Sequence, residues 1–253
     1  MPNKLHVDAP AIAPAIGGLL PLANVITDNA DSAAYHGVNH EAVLTGHSRT
    51  APTDGSDKVF DPVEFVEGVE FVVYRGIESA LLVSADPESI AKAAFTAGES
   101  YAVESAVQSL ILNTEAVDIT PTPGTPVTDA RQALGLLEQW ASENYYGRPL
   151  IHGNRFAVGL IPELQVSASF ELHTIHGTPI ANGGGYSADG PGVANAAAGT
   201  AWLYISGQVN LWAGKLNVLE GPSLKANRDF ALAERPYAAT VSGPVAAILV
   251  GTN

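Results

Sequence analysis

Few side chains in this sequence have the types and spacing for chemistry, and the run Asn182-Gly183-Gly184-Gly185-Tyr186 comes nearest to a known device, a loop that cradles phosphate. It lacks the spacing of either glycine-rich nucleotide fingerprint, and Ser-Ala-Asp-Gly-Pro-Gly comes after it. With no helix start there to receive an anion, a turn is expected. His173 and His176 are three apart in a stretch that reads as strand, where residues i and i+3 face opposite sides and cannot share one ion. The 253 residues contain no cysteine and no HExxH pair, so no metal is expected, and thiolate and disulfide chemistry are excluded. A serine hydrolase would present a GxSxG elbow, and there is none. Glu67 and Glu70 fall in an alternating ribbon, where a solvated face is expected rather than acid/base work. The expectation is a protein that is not an enzyme and uses no cofactor.

The rest of the chain reads as scaffold, and the elements that build it are legible. The run Gly199 to Gly251 reads as several consecutive strands: Ala201 to Leu211 is rich in β-branched and aromatic residues, interrupted at Ser206-Gly207. Val241-Ser242-Gly243-Pro244-Val245 repeats that pattern before the apolar Ala246 to Val250. This region is expected to be one sheet against which the other elements pack.

Upstream, Asp86-Pro87-Glu88 is a helix start, with a capping side chain, an early proline and an acid in the first turn. A helical pattern then runs to about Asn113, roughly 26 residues or ~39 Å long. Val103, Ala106, Val107, Leu110 and Ile111 form its apolar stripe, expected to be buried against the C-terminal sheet. Glu88 and Lys92 are a correctly oriented i, i+4 pair, and Gly98 weakens the middle by about 1 kcal/mol. A second helix is expected from about Thr128 to Asn144, with Ala130, Ala133, Leu134, Leu137, Trp140 and Ala141 on one face. After it come a short buried strand at Pro149 to His152, a short helix or turn over Asn154 to Leu160, and an alternating strand over Val166 to Ile175.

The first 59 residues have no periodicity and are full of Pro, Gly, Asn, Asp and Ala. Alone they bury too little apolar surface to offset their ordering entropy. Val63 to Tyr74 alternates well enough for a two-stranded ribbon bent near Gly68, and such a ribbon is marginal unless it leans on something.

Composition limits the function classes. Only 15% of residues are charged and 46% are hydrophobic, against about 25% charged in ordinary soluble domains. A chain this apolar is expected to hide surface against other subunits. The formal charge of -14 argues against tight binding to nucleic acid, which needs clustered Lys and Arg. No run reaches the 18 or so apolar residues of a membrane-spanning helix. Pro10, Pro14 and Pro21 break the apolar N-terminal stretch, so it is not expected to be a signal peptide.

Particular phrases also carry a family resemblance. The Trp202-Leu-Tyr-Ile-Ser-Gly207 strand, the Asn227 to Tyr237 segment NRDFALAERPY and the terminal Gly243-Pro-Val strand resemble the closing segment of tailed-phage major capsid proteins of the Hong Kong 97 fold. Ala97 to Ser105, AGESYAVES, resembles the spine helix of such proteins from actinobacterial phages. Gly177 to Tyr186 resembles their strand and glycine-rich turn near the capsomer axis. The resemblance covers roughly Val69 to Gly251.

It implies an α+β (mixed α/β) capsid fold. An N-terminal arm would occupy residues 1–59 and an extended-loop ribbon 60–80. A peripheral domain of spine helix and long sheet would occupy 81–120 and 199–253, with an axial domain over 121–198. The implied function is self-assembly, as pentamers with or without hexamers, into an icosahedral head shell enclosing double-stranded DNA. The alternative is a nanocompartment shell of the encapsulin type. The implied partners are the chain itself, a portal, separate scaffold or decoration proteins, and DNA touched only weakly, with no membrane. The implied location is the virion, after assembly in the host cytoplasm. Leu19, Leu20, Leu22 and Ile26 in the arm, with Phe65, Val69 and Phe71 in the ribbon, are the expected assembly contacts on a neighbouring subunit. No charged helical stretch stands at the N-terminus to act as a built-in scaffold, and Met1 is present, so maturation cleavage of this chain is not expected.

Overall fold

Asp86 starts the long helix as its sequence demands: its carboxylate accepts from the Ser89 N–H at 3.3 Å, with Pro87 at the first helical position. The computed structural model describes residues 16–42, 48, 50, 58, 60–80, 86–162, 164–167, 169, 171–192, 196–223 and 228–252. In chain order the first elements are β1 (Asn24–Ile26), α1 (Ala30–His36), β2 (Asn39–Glu41), β3 (Phe65–Glu67) and β4 (Val69–Ala80). The long helix is α2 (Pro87–Val107), continued by a π-helical turn at Gln108–Leu112 and a last turn, α3 (Asn113–Glu115). Then come β5 (Val117–Asp118), α4 (Ala130–Asn144), β6 (Leu150–Gly153), α5 (Arg155–Gly159), β7 (Gln165–Val166), β8 (Leu172–His173) and β9 (Pro179–Ala181). The C-terminal strands are β10 (Thr200–Ser206), β11 (Val209–Ala213), β12 (Asn217–Ser223), β13 (Arg228–Val241) and β14 (Ala246–Gly251).

The C-terminal run, expected as one sheet, is dealt between two. β10 and β14 join a seven-stranded sheet in the order β5-β14-β10-β6-β9-β8-β7, whereas β11, β12 and β13 join β1 and β4 in a five-stranded sheet. The residues drawn as a separate peripheral unit, 199–253, thus supply strands to the same sheet as the residues drawn as axial. Val166 to Ile175 is not a single strand; β7 and β8 pair antiparallel within it.

Alternation explains the seven-stranded sheet. Trp202, Tyr204, Ala247 and Leu249 pack into one core with α2, while Ala201, Leu203, Ile205, Ala246, Ile248 and Val250 pack into a second core with α4 and α5. Both faces are covered, which is why these strands read as continuous apolar runs. Each large side chain buried there is worth about 1.5–3 kcal/mol.

The ribbon expected over Val63 to Tyr74 takes another form. β4 does not fold back on itself but pairs along its whole length with β13, from Val69 opposite Ala239 to Ala80 opposite Arg228. The two-stranded ribbon is instead β2 with β3, Asn39 opposite Glu67. Gly68 marks the break, because its N–H donates to the Val38 carbonyl while a Cβ there would press on Thr240 and Val38. Most of residues 43–59, and the expected arm before residue 16, lie outside the described residues.

The π turn also corrects the helix face. Asn113 donates its N–H to the Gln108 carbonyl, a five-residue step, and the extra residue rotates the remainder of the helix about its axis. Val103, Val107, Ile111 and Leu112 are buried, but Leu110 is 41% exposed, so it leaves the stripe.

Candidate functional site

Two buried polar centres could pass for sites, and their proton arrangement tells what each does. His152 on β6 and Ser206 on β10 are close across an antiparallel pair in which Tyr204 lies opposite His152. His152 Nε2 is 2.8 Å from Ser206 Oγ, and Nδ1 is 3.0 Å from the Tyr186 hydroxyl. The resemblance to a nucleophile and base ends with the donors. Ser206 Oγ donates to the Gly207 carbonyl at 2.9 Å, so the imidazole donates from Nε2 to Ser206 and accepts at Nδ1 from Tyr186. The serine proton is directed away from the base. Burial holds the imidazole down to about 3 from an ordinary 6.5, so it is neutral. Burial, with Glu104 nearby, raises the Tyr186 phenol well above its ordinary value, which keeps it a donor. His152 is wholly inaccessible to solvent. The chain of bonds pins β6, β10 and the loop at Tyr186 together, and no local pattern in the sequence signals it.

The second centre lies where α2 meets the segment before β1 and the glycine-rich turn. Glu104 is fully buried. Its Oε1 accepts from the Leu19 N–H of the arm and from Ser100 Oγ, both at 3.0 Å, and its Oε2 accepts from the Gly185 N–H at 2.9 Å. The glycines are explained by this carboxylate: a Cβ on Gly18 or Gly183 would collide with it, and one on Gly185 would collide with the Tyr101 carbonyl. Asn182 donates its N–H to the Gly17 carbonyl at 2.8 Å, tying arm and turn directly. One turn along the helix, Gln108 accepts from the Ser187 N–H at 2.7 Å and donates to the Asp189 carbonyl at 3.0 Å. Asn182 to Tyr186 is therefore a turn fastened to a helix, as its spacing suggested.

A third link holds helix to sheet. Glu99 accepts from Arg235 Nη1 at 2.6 Å and from the Tyr237 hydroxyl at 2.8 Å, and the Arg235 guanidinium lies 5.7 Å from the centre of the Phe95 ring.

The expected contact residues divide. Leu19 is fully buried in the core of its own chain and cannot reach a neighbour. Leu20 and Leu22 are half-buried against that same core, and β1, which carries Ile26, adds in parallel to β11. A leucine run records that burial is needed, not which copy supplies the partner. Val69 and Phe71 are half-buried, Phe71 stacking on Tyr237 at 5.4 Å between centroids, whereas Phe65 is 66% exposed.

The larger bare surface was not singled out from sequence. In the five-stranded sheet Val73, Ala231, Ala233 and Tyr237 face α2. The registers put Val72, Tyr74, Leu219 and Phe230 on the opposite face, where they stay 45 to 70% exposed. Alternating apolar residues on both sides of β4 and β13 were the available signal.

No protein-family model matches the chain, and no curated protein matches it. Solved structures do. The chain is similar to one in the capsid of a native GTA particle computed with C5 symmetry, at a TM-score of 0.62 and 12% identity, over 100% of this chain and 96% of that one. It is similar to the capsid of Ralstonia phage GP4 at 0.60 and 10%, over 100% and 96%. A chain from Mycobacterium phage Che8 gives 0.55 and 13%, over 98% and 96%. This is the tailed-phage capsid fold. It agrees with the α+β, Hong Kong 97-type architecture that the sequence resemblance implied. Glu99, Glu104 and Gln108 are three anchors along α2 and its π-helical continuation, each holding a different segment to it.

Proposed function

We propose that this chain is a major capsid protein of a tailed phage, which self-assembles into the icosahedral head shell around double-stranded DNA. The observation that carries the reading is the end-to-end fold match, which spans nearly the whole of both chains for the GTA and GP4 capsids. The buried centres support a structural role: the His152 group is sealed and proton-satisfied, and Glu104 fastens backbone. The formal charge of -14 suits a wall that contacts packaged DNA only weakly. Among the described residues no helix is long and apolar enough to cross a membrane.

The assembly contacts are the exposed apolar residues Phe60, Val63 and Phe65 before and at the start of β3, and the bare face of β4, β12 and β13. Val69 and Phe71 keep a part in the contact through their exposed edges, as do Leu20, Leu22 and Ile26. A second copy of the chain is the occupant. The axial lobe comprises 121–198 together with β10 and β14. Pentamers with or without hexamers close the shell in the host cytoplasm around a portal, with separate scaffold or decoration proteins, and the product is the virion.

Electron microscopy of the purified protein and of particles from infected cells tests this. Closed shells containing nuclease-protected DNA are expected. A 26.2 kDa monomer at every concentration, or shells filled with protein cargo and no DNA, would overturn it, the latter in favour of a nanocompartment.

A further inference from the structure

Glu104 is an uncommon way to hold a chain together. Its buried carboxylate is stabilised by two backbone N–H groups and one hydroxyl, and the two N–H groups come from segments 166 residues apart in sequence. If one segment leaves, the other remains bonded to a buried charge that has lost part of its compensation, a costly state. The two segments are also packed too tightly to move alone. Gly18 and Gly183 both lie against the carboxylate with no room for a Cβ, and Asn182 holds Gly17 from the other side.

We propose that Glu104 is a latch that makes seating of the arm at Gly17–Ala23 and closure of the glycine turn at Asn182–Asp189 a single cooperative event. The arm reports to the turn through the carboxylate, and by thermodynamic reciprocity the turn reports to the arm. Arm displacement then frees the turn, and with it the loop at Ser187 and Asp189 that Gln108 holds. For a shell protein this couples the segment at Gly17–Ala23 to a loop of the axial lobe. That meaning rests on the capsid reading; the latch itself does not.

Hydrogen exchange read by mass spectrometry on the full-length unassembled subunit tests it, at the amides of Leu22 and Ala23, which donate to the Leu19 carbonyl, and of Gly185 and Ser187 across the carboxylate. Gly18→Val presses on the Glu104 carboxylate from the arm side, and Gly183→Ala from the turn side. Each is expected to speed exchange about tenfold or more on the opposite side as well as its own, while β10 and β14 amides stay protected. Glu104→Gln, which turns an acceptor into a donor facing N–H groups, is expected to loosen both sides together. Should the glycine variants unfold the subunit, Ser100→Ala removes one bond from the carboxylate without adding bulk and is expected to raise both sets in parallel. Changes confined to the mutated side, or a Ser100→Ala effect on one side only, would overturn the latch. Because the readout needs no particles, a failed latch and a failed capsid assignment are distinguishable results.

Discussion

The two sheets of this molecule bury themselves by different means. The central strands of the seven-stranded sheet, β14, β10, β6 and β9, are covered on both faces by their own chain, α2 and the glycine turn on one side and α4 and α5 on the other, and β14 is buried at every residue. The outer part of the five-stranded sheet is covered by α2 on one face only, and Tyr74 is 70% exposed on the other. One sheet completes a subunit. The other leaves apolar residues bare on one face, the surface that the proposed shell contact would cover.

If the sheets differ in this way, damage to the complete one should cost the subunit most. Ile248 is fully buried between β14 and α4, so Ile248→Ala is expected to destabilise the subunit by about 2–5 kcal/mol in urea unfolding. A loss below about 1 kcal/mol would mean this core is not what holds the subunit.

Acid reaches the same sheet through His152. Below about 6.5 the unfolded chain takes up a proton that the folded chain refuses until about 3. Stability is therefore complete above 6.5 and falls by about 1.4 kcal/mol per pH unit as pH drops through that window. In His152→Gln the slope contributed by this group should vanish between 6.5 and 3. Unfolding free energies measured across that range check it, and an unchanged slope would place the acid sensitivity elsewhere.

A finer contrast lies within one helix. Ile111→Ala is expected to cost about 2–5 kcal/mol and its neighbour Leu110→Ala less than about 1, because the π turn buries the first and exposes the second. Equal costs in chemical denaturation would mean the helix continues without that turn.

The smallest effect on the subunit should come from the bare sheet. Tyr74→Asp and Phe230→Asp are each expected to change subunit stability by no more than about 0.5 kcal/mol, yet to abolish shell formation by light scattering and microscopy. Normal shells from the double variant would show that this face is not a contact.

Much of the architecture is legible in the amino-acid sequence. The start of α2 follows from Asp86-Pro87, the face of α4 from the spacing of Ala133, Leu137 and Ala141, and β6 from its short apolar run, because each depends on local periodicity and capping. The candidate site is less legible. Glu104 reads in sequence as one more polar residue of a helix, and nothing near it in the chain announces Leu19 or Gly185 as partners. His152 and Ser206 belong to separate strands. Leu19 is recognisable as a residue that must be buried, yet its burial in its own chain is a matter of where residues 16–23 run.

The amino-acid sequence by itself determined which residues need shelter, where the helices begin, that no cysteine or nucleophile elbow is present, and that the chain is acidic and apolar enough to suggest association. These properties come from side-chain chemistry and the periods of helix and strand. Only the tertiary structure decided that β10 and β14 leave their neighbours for a second sheet, that β4 pairs with β13 instead of folding back, and that a π turn swings Leu110 outward. Strand pairing and helix register are settled by contacts between residues distant in sequence, and a local pattern is compatible with several of them.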